Sequence, residues 1–287
     1  MGEFAQIVVN GLIIGLSYVM LSLGITLTFS IRRVINIAHA DIYMLGGFMA
    51  YFGSRFGINY FLVLTAALIV LGALGAALDT IFFRRVRDKG PAGPMVFSLG
   101  LMYLIEGIAL LAFGEKVKGV PSVFKGVIHI GSITFGVERL IVMAISLLLI
   151  TGLFLFLGRV KWGQAMRALA QDSEAAYLQG IDINRMSMLC FALGFALAGA
   201  AGVLLTPLFY VGYAVGSSLI FKCFMVLVIG GLGSVLGCLV GGLLLGLIEA
   251  FVVAYVPGQL AVLIMFALIL VILLVRPQGL MGRGELE

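Results

Sequence analysis

The stretch GSVLGCLVGGLLLGLIEAFVVAY, residues 233–255, carries a single ionisable side chain, Glu249. Crossing the hydrocarbon core of a bilayer takes about 20 mainly apolar residues, and this stretch supplies them. Gly233, Gly237 and Gly241 recur every four positions, and Gly242 and Gly246 extend the stripe. In water, glycine costs a helix about 1 kcal/mol per position. In a bilayer the same small residues let helix backbones approach one another closely. The stretch therefore reads as a membrane-spanning helix with a glycine packing face.

Outward from it, comparable apolar runs occupy 4–30, 34–54, 60–83, 94–113, 138–157, 186–206, 218–230 and 258–275. Of 287 residues, 62% are hydrophobic and 11% charged, and the mean hydropathy is +1.22. A soluble domain carries roughly 25% charged residues, so too few are present to clothe a water-facing globule. The fold class is an all-α polytopic transmembrane helical bundle of eight to nine spans, expected as one domain over residues 1–287. A soluble enzyme, a nucleic-acid binder and a secreted disulfide scaffold are excluded.

The formal net charge of +5 reflects basic residues gathered in cytoplasmic loops, not an affinity for nucleic acid. Cys190, Cys223 and Cys238 all lie in apolar stretches without metal-ligand spacing. They read as small buried hydrophobes, and no metal site is expected. The start, Met1–Gln6, lacks a basic n-region, so the first run is expected as a retained helix.

Two runs depart from the pattern. The run 34–54 is interrupted by Asn36, His39 and Asp41, then by Gly46 and Gly47, and the run 218–230 is short and contains Lys222. Membranes tolerate broken helices only where protein or a water-filled cavity covers the freed backbone. A broken or re-entrant second helix is expected, with its break near 36–47.

Arg84, Arg85, Arg87 and Lys89 form one basic cluster; Arg159, Lys161, Arg167 and Arg185 form another; Arg276 and Arg283 follow the last run. The first two clusters are two spans apart and so share a side, which the positive-inside rule makes cytoplasmic. The C-terminus is then cytoplasmic, and the N-terminus lies outside if the second run crosses. The loop 114–137 faces outward despite Lys116, Lys118 and Lys125. Its Gly126, Val127, Ile128, Ile130, Gly131, Ile133 and Thr134 predict a small hairpin.

The segment 158–185 carries the clearest local signals. Asp172 is a good N-cap, Ser173 and Glu174 open a first turn, and Gly180 suits the C′ position. They predict a short helix over 173–179, preceded by a helical stretch over 163–171. Ala175, Ala176 and Leu178 offer contacts for a partner's groove, or the helix rests on its own bundle.

Glu174-Ala175-Ala176 followed by Gly180 resembles the EAA-loop signature of ATP-binding-cassette importer permeases. The whole chain resembles the H-type permease subunits of bacterial high-affinity branched-chain amino acid importers. The match runs through Asn10-Gly11-Leu12, Ser17-Tyr18 and Leu23-Gly24, then Ile35-Asn36-Ile37-Ala38-His39 and Met44-Leu45-Gly46. It continues through Gly180-Ile181-Asp182 with Arg185, Phe221-Lys222-Cys223-Phe224, Gly230-Gly231-Leu232-Gly233-Ser234 and Arg276-Pro277-Gln278-Gly279-Leu280. Ala40 stands where the family usually has glycine, and Asp41 where glutamate is common. The resemblance implies a coupling role for Ala165, Arg167, Asp172, Glu174, Ala175, Ala176 and Gly180. It also implies two ATPase subunits, a second homologous permease subunit that makes a heterodimer, an extracytoplasmic substrate-binding protein and a bacterial cytoplasmic (inner) membrane. The small-molecule substrate implied is a branched-chain or related amino acid.

The chain agrees by omission, since no G-x-x-x-x-G-K-[ST] loop is present and Gly230–Gly237 lacks the following lysine. No cofactor is expected on this chain; ATP and magnesium belong to the partner ATPases. Ionisable groups inside apolar runs are the remaining candidates. Asn36, His39 and Asp41, with Gly46 and Gly47, either line the translocation path or form a hydrogen-bonded structural plug. His39 alone reads as a core histidine. Lys222 needs a counter-ion, for which Glu249 and Glu106 are available, and such a pair would hold helix geometry. Asp79, five residues from Arg84 and near the cytoplasmic end, either pairs there or snorkels.

The leading expectation is a permease that translocates branched-chain or related amino acids inward by alternating access, driven by its partner ATPases, and is not itself an enzyme. Permeases for urea, short amides or other amino acids are rivals within the class. An autonomous ion-coupled carrier using His39, Asp41 and Glu249 as a relay is the rival outside it, and such a carrier has no need of an ATPase-docking helix.

Overall fold

The computed structural model describes residues 2–87, 90, 92–130 and 133–282. Met1, Lys89, Gly131 and Arg283, all named above, lie outside the described residues. The apolar runs form helices: α1 (Gly2–Arg32), α2 (His39–Arg55), α3 (Tyr60–Leu78), α4 (Arg84–Arg87), α5 (Ala92–Phe113), α6 (Val137–Arg159), α7 (Lys161–Gln171), α8 (Ser173–Leu178), α9 (Ile183–Leu205), α10 (Val215–Gly230), α11 (Val235–Tyr255) and α12 (Gly258–Val275). A π-helical turn, Asp79–Phe83, joins α3 to α4. The predicted hairpin is present as β1 (Val127–Ile130) and β2 (Ile133–Gly136), antiparallel with Ile130 opposite Ile133. Six helical stretches are long and apolar enough to cross a membrane, and 215–230 and 260–275 are shorter apolar helices, among the described residues. The protein is an all-α, multi-pass membrane bundle.

Glycine decides how the long helices meet. A Cβ added to Gly15 of α1 would lie 2.9 Å from the Leu243 Cα of α11, and one on Gly242 would lie 3.0 Å from the backbone nitrogen of Val19. Gly246 is pressed onto Gly15. The glycine stripe of α11 does not serve one neighbour, however. Gly237 and Gly241 press on Gly230 and Val226 of α10, whereas Gly242 and Gly246 press on α1. Gly233 lies outside the helix, in the turn before it, with φ +80°. Across the bundle, Gly75 of α3 abuts the Phe191 carbonyl of α9, and Gly24 of α1 and Gly194 of α9 touch backbone to backbone.

The break in the second run is real but lies earlier than its glycines. Residues 33–38 are non-helical, and Arg33 takes a left-handed φ of +53°. From His39 the helix is continuous through Gly46 and Gly47. Those two residues answer packing needs, because Gly46 faces the Gly199 carbonyl and Gly47 faces Thr206 and Val211. The exposed peptide groups of the break find a partner in α5: the Ile37 N–H donates to Ser98 Oγ at 3.1 Å. Asn36 is fully buried there.

Hydrogen bonds pin the two ends of the bundle. At one end Arg32 donates to the Ile183 carbonyl at 3.2 Å and to Asn184 Oδ1 at 2.7 Å, and Arg84 donates to the Asn184 carbonyl at 3.1 Å. At the other end Arg139 donates to Asn10 Oδ1 at 2.6 Å, and Lys118 bridges Val211 with backbone bonds of 2.8 and 2.9 Å. Successive helices alternate between these ends, so α1–α2–α3 and α9–α10–α11 are two three-helix units of opposite direction. In each, a long helix is followed by a non-helical stretch and a short helix, of 17 residues in α2 and 16 in α10. The two short helices touch where Gly216 meets Asp41. Past α12, the Leu280 and Met281 N–H groups donate to the Ile229 and Gly230 carbonyls at 2.8 and 3.0 Å, satisfying orphan acceptors at the end of α10.

A Gly246→Val variant drives a branched side chain into the α1 backbone and is expected to lose about 1–3 kcal/mol of stability. Gly100→Val is the matched control, because a Cβ there meets nothing within 4 Å. Thermal denaturation in detergent should show a lowered midpoint for the first variant alone.

Candidate functional site

Two backbone devices shape the segment 158–185. At its start the chain turns between α6 and α7 through Val160 in extended conformation. Gly163 packs against the Phe156 carbonyl, where no side chain fits, and Arg167 donates to the Gly158 carbonyl at 3.3 Å. At α8, Asp172 Oδ1 accepts from the Glu174 and Ala175 N–H groups at 3.0 and 2.9 Å. Gly180 takes φ +82°. Its N–H donates to the Tyr177 carbonyl at 2.9 Å, and the Ile181 N–H donates to the Ala176 carbonyl at 3.2 Å. This is the Schellman closure that a C′ glycine permits. Two residues on, Asp182 caps α9 by accepting from the Asn184 and Arg185 N–H groups at 2.8 and 3.2 Å. The Arg185 N–H holds the Asp182 carboxyl below the usual aspartate range. The cap is therefore intact at neutral pH and is lost only as the pH falls through that lowered value.

The faces of α7 and α8 divide cleanly. Met166, Leu169 and Ala176 are buried in the protein's own core, and Ala165 is half-buried. Ala176, expected as a partner contact, thus faces inward, because the i+3 and i+4 spacing from Asp172 turns it onto the bundle. Arg167, Asp172, Glu174, Ala175 and Gly180 face solvent. Tyr177 at 65% exposure and Leu178 at 83% are the prominent apolar groups. With Ser173, Glu174 and Ile183 they line an open depression. Sequence reasoning passed over Tyr177. An aromatic residue beside a capped two-turn helix was the available signal.

The polar residues of the broken run are not one constellation. Asn36, His39 and Asp41 are each fully buried, but His39 lies against Gly24 and edge-on to Phe195 at 5.4 Å, between α1 and α9. Asp41 lies on the other side of α2, against Gly216 of α10. Among the described residues, neither carboxylate oxygen of Asp41 nor the amide of Asn36 has a hydrogen-bond partner.

Lys222 has chosen Glu249. Its Nζ lies 2.6 Å from Glu249 Oε1 and donates to Tyr18 Oη at 2.6 Å, and Tyr18 in turn donates to Glu249 Oε2 at 2.5 Å. A closed triangle thereby ties α10, α11 and α1 together. Glu106, the other expected counter-ion, is not the partner: its Oε1 has no hydrogen-bond partner among the described residues. Tyr18 was not foreseen. A phenol buried mid-span must find a polar partner for its hydroxyl, and that requirement was the signal. Asp79 accepts from Ser187 Oγ at 2.8 Å and lies 3.5 Å from Arg84 Nε.

Comparison with known proteins bears on the whole chain. Residues 7–273 match the family model described as "Branched-chain amino acid transport system / permease component". The chain is 30% identical to the high-affinity branched-chain amino acid transport system permease protein BraD of Pseudomonas aeruginosa, over 99% of this chain and 98% of that one. It is 30% identical to the corresponding protein LivH of Escherichia coli K12, over 99% and 97%. A probable branched-chain amino acid transport permease protein of Methanocaldococcus jannaschii is 27% identical over 77% of this chain and 72% of its own. No solved structure matches.

Removing the cation from the triangle leaves a carboxylate with only a phenol for company inside the membrane. Lys222→Met is expected to cost about 2 kcal/mol, less than a fully enclosed pair because the lysine is partly open. Adding Glu249→Gln should recover part of that loss, and a double-mutant cycle of melting temperatures in detergent measures the coupling.

Proposed function

The chain belongs to the family of branched-chain amino acid transport permease components, and on that footing we propose that it moves branched-chain amino acids inward through a bacterial cytoplasmic membrane. It is a transport subunit of an ATP-binding-cassette importer, not an enzyme, and ATP hydrolysis resides in separate subunits. ATPase and substrate-binding-protein partners follow from that membership. To these we add a second, homologous permease subunit in a heterodimer, a cytoplasmic C-terminus, and ATP with magnesium held by the ATPases alone.

The observation that carries the mechanism is the outward face of α8. A two-turn helix closed at both ends by its own caps, showing Tyr177 and Leu178 to solvent, is a rigid apolar knob of the kind that seats in a groove. Closure of the ATPase pair would press on 158–185, and the rigid turn at Gly180 would pass that displacement to Ile183 and Asn184. There Arg32 and Arg84 grip the chain from the ends of α1 and the α3 extension. The helix bundle would then rock as a body against the second permease subunit, exchanging inward and outward openings. The path would run by the short helices α2 and α10, with Asn36, Asp41, Gly46 and Gly47 near it. The ion-coupled-carrier reading fares worse: its relay needs His39, Asp41 and Glu249 in sequence, yet His39 and Asp41 lie on opposite sides of α2 and Glu249 is committed to Lys222.

Two variants test the docking role. Leu178→Asp alters an exposed side chain, and Gly180→Pro removes a left-handed turn that proline cannot adopt. Both are expected to insert into membranes, to recover at least tenfold less ATPase on co-purification and to lose uptake in proteoliposomes. Normal ATPase recovery and uptake by both variants would remove α8 as the coupling element.

A further inference from the structure

Lys222 stands near the middle of α10, roughly 10 Å from either end at about 1.5 Å per residue. Its side chain is nevertheless 31% exposed on this chain, and that of Glu249 is 15% exposed. A charge facing hydrocarbon at that depth costs at least about 2.5 kcal/mol. The open side of the triangle is therefore covered by something polar.

The triangle is also incompletely satisfied. An ammonium group has three donors, and two are engaged, by Tyr18 and Glu249. The Glu249 oxygens accept one bond each from Lys222 and Tyr18, leaving further lone pairs free. A spare donor and spare acceptors side by side complement a molecule that carries a carboxylate next to an ammonium. One turn before Lys222, Ser218 is exposed on the same side of α10. Phe221, next to Lys222 along α10, and Val253, one turn beyond Glu249 on α11, are both more than half exposed. The neighbourhood thus offers a zwitterion-binding pair bordered by apolar surface.

We infer that Lys222, Glu249 and Tyr18 line the aqueous translocation path and form a transient subsite for the α-carboxylate and α-ammonium of the passing amino acid, whose apolar side chain lies on Phe221 and Val253. This rests on the importer reading above and adds the point of contact with the substrate. A purely structural ion pair would need no opening, and a dry protein interface would strand the unused donor. In the path, water satisfies these groups between passages. The triangle also explains how a charged contact avoids trapping its substrate. The lysine and glutamate already neutralise each other, so the zwitterion exchanges bonds with the pair and does not meet an isolated charge.

The test uses the complete importer in proteoliposomes. In the charge-swapped chain, Lys222→Glu with Glu249→Lys, the ion pair is kept but its polarity is reversed relative to a substrate delivered in one orientation. The swapped chain is expected to co-purify with its partners yet to take up leucine at least tenfold more slowly. Uptake restored to the wild-type rate would show that only the pairing matters and would overturn the proposal. Independently, Ser218→Cys in the assembled wild-type background is expected to react with a membrane-impermeant, water-soluble thiol reagent, and leucine turnover should slow that reaction. The three native cysteines are buried and give a low background. No reaction at Ser218→Cys would place this face against lipid or dry protein and equally overturn the proposal. Failure of the importer reading is distinct from either result, because it would appear as a wild-type chain that recruits no ATPase.

Discussion

Backbone-to-backbone contact through glycine is the constraint on which this bundle rests. Between helices in a bilayer the lipid tails are as apolar as the side chains, so burial alone does not select a partner. Close approach does, since it multiplies dispersion contacts and admits only one register. Gly11, Gly15, Gly242 and Gly246 set α1 against α11, and Gly199 and Gly202 of α9 receive Gly46 and the Tyr43 carbonyl of α2. Every other feature of the molecule is hung on these crossings. They bring α1, α10 and α11 near enough for one lysine, one glutamate and one tyrosine to close a triangle.

The same crossings make room for two helices too short for an ordinary span. At about 1.5 Å per residue, α2 and α10 measure roughly 25 Å, against a hydrocarbon core of about 30 Å. The peptide groups released where each follows a non-helical stretch must be covered by protein. Ser98 does this for the break before α2, and the antiparallel bridge between Lys118 and Val211 does it for the stretch before α10. Short helices supported by neighbours are the natural place for a path, because their ends leave room for water that a full-length span would occlude.

What could be read from the sequence was what is determined locally. The Asp172 cap, the Gly180 closure and the 127–136 hairpin each depend on a few neighbouring residues, so composition and spacing sufficed. The apolar runs were equally plain, because a spanning helix must carry its hydrophobicity in one stretch. The partner of each surface was not legible. The glycines of α11 were read as one stripe but are shared between α10 and α1, since a face of a helix says that something approaches and not what. Glu249 and Glu106 looked equivalent as counter-ions to Lys222, because only the crossing of α10 with α11 brings one of them near. Gly46 and Gly47 were read as breakers when they are contact points. In a bilayer a helical glycine near a polar residue carries either meaning, and here the carbonyl of Gly199 decides it.

These contacts also determine what moves together. A side-chain contact can yield by changing rotamer, but a backbone-to-backbone contact has nothing to yield. In the proposed cycle, a displacement entering at α8 reaches α9 through the capped turn 180–184. α9 is joined in this unyielding way to α1 at Gly24, to α2 at Gly46 and to α3 at Gly75. Those four helices must shift as one body. The α1–α11 crossing is built the same way, and α10 is locked to α11 where Gly230 and Gly237 meet backbone to backbone, so all six helices move together. The far end of α10 is fastened further by the N–H groups of Leu280 and Met281. The displacement that alternating access requires therefore falls between this body and the second permease subunit, and Lys222, on α10, is carried with the whole.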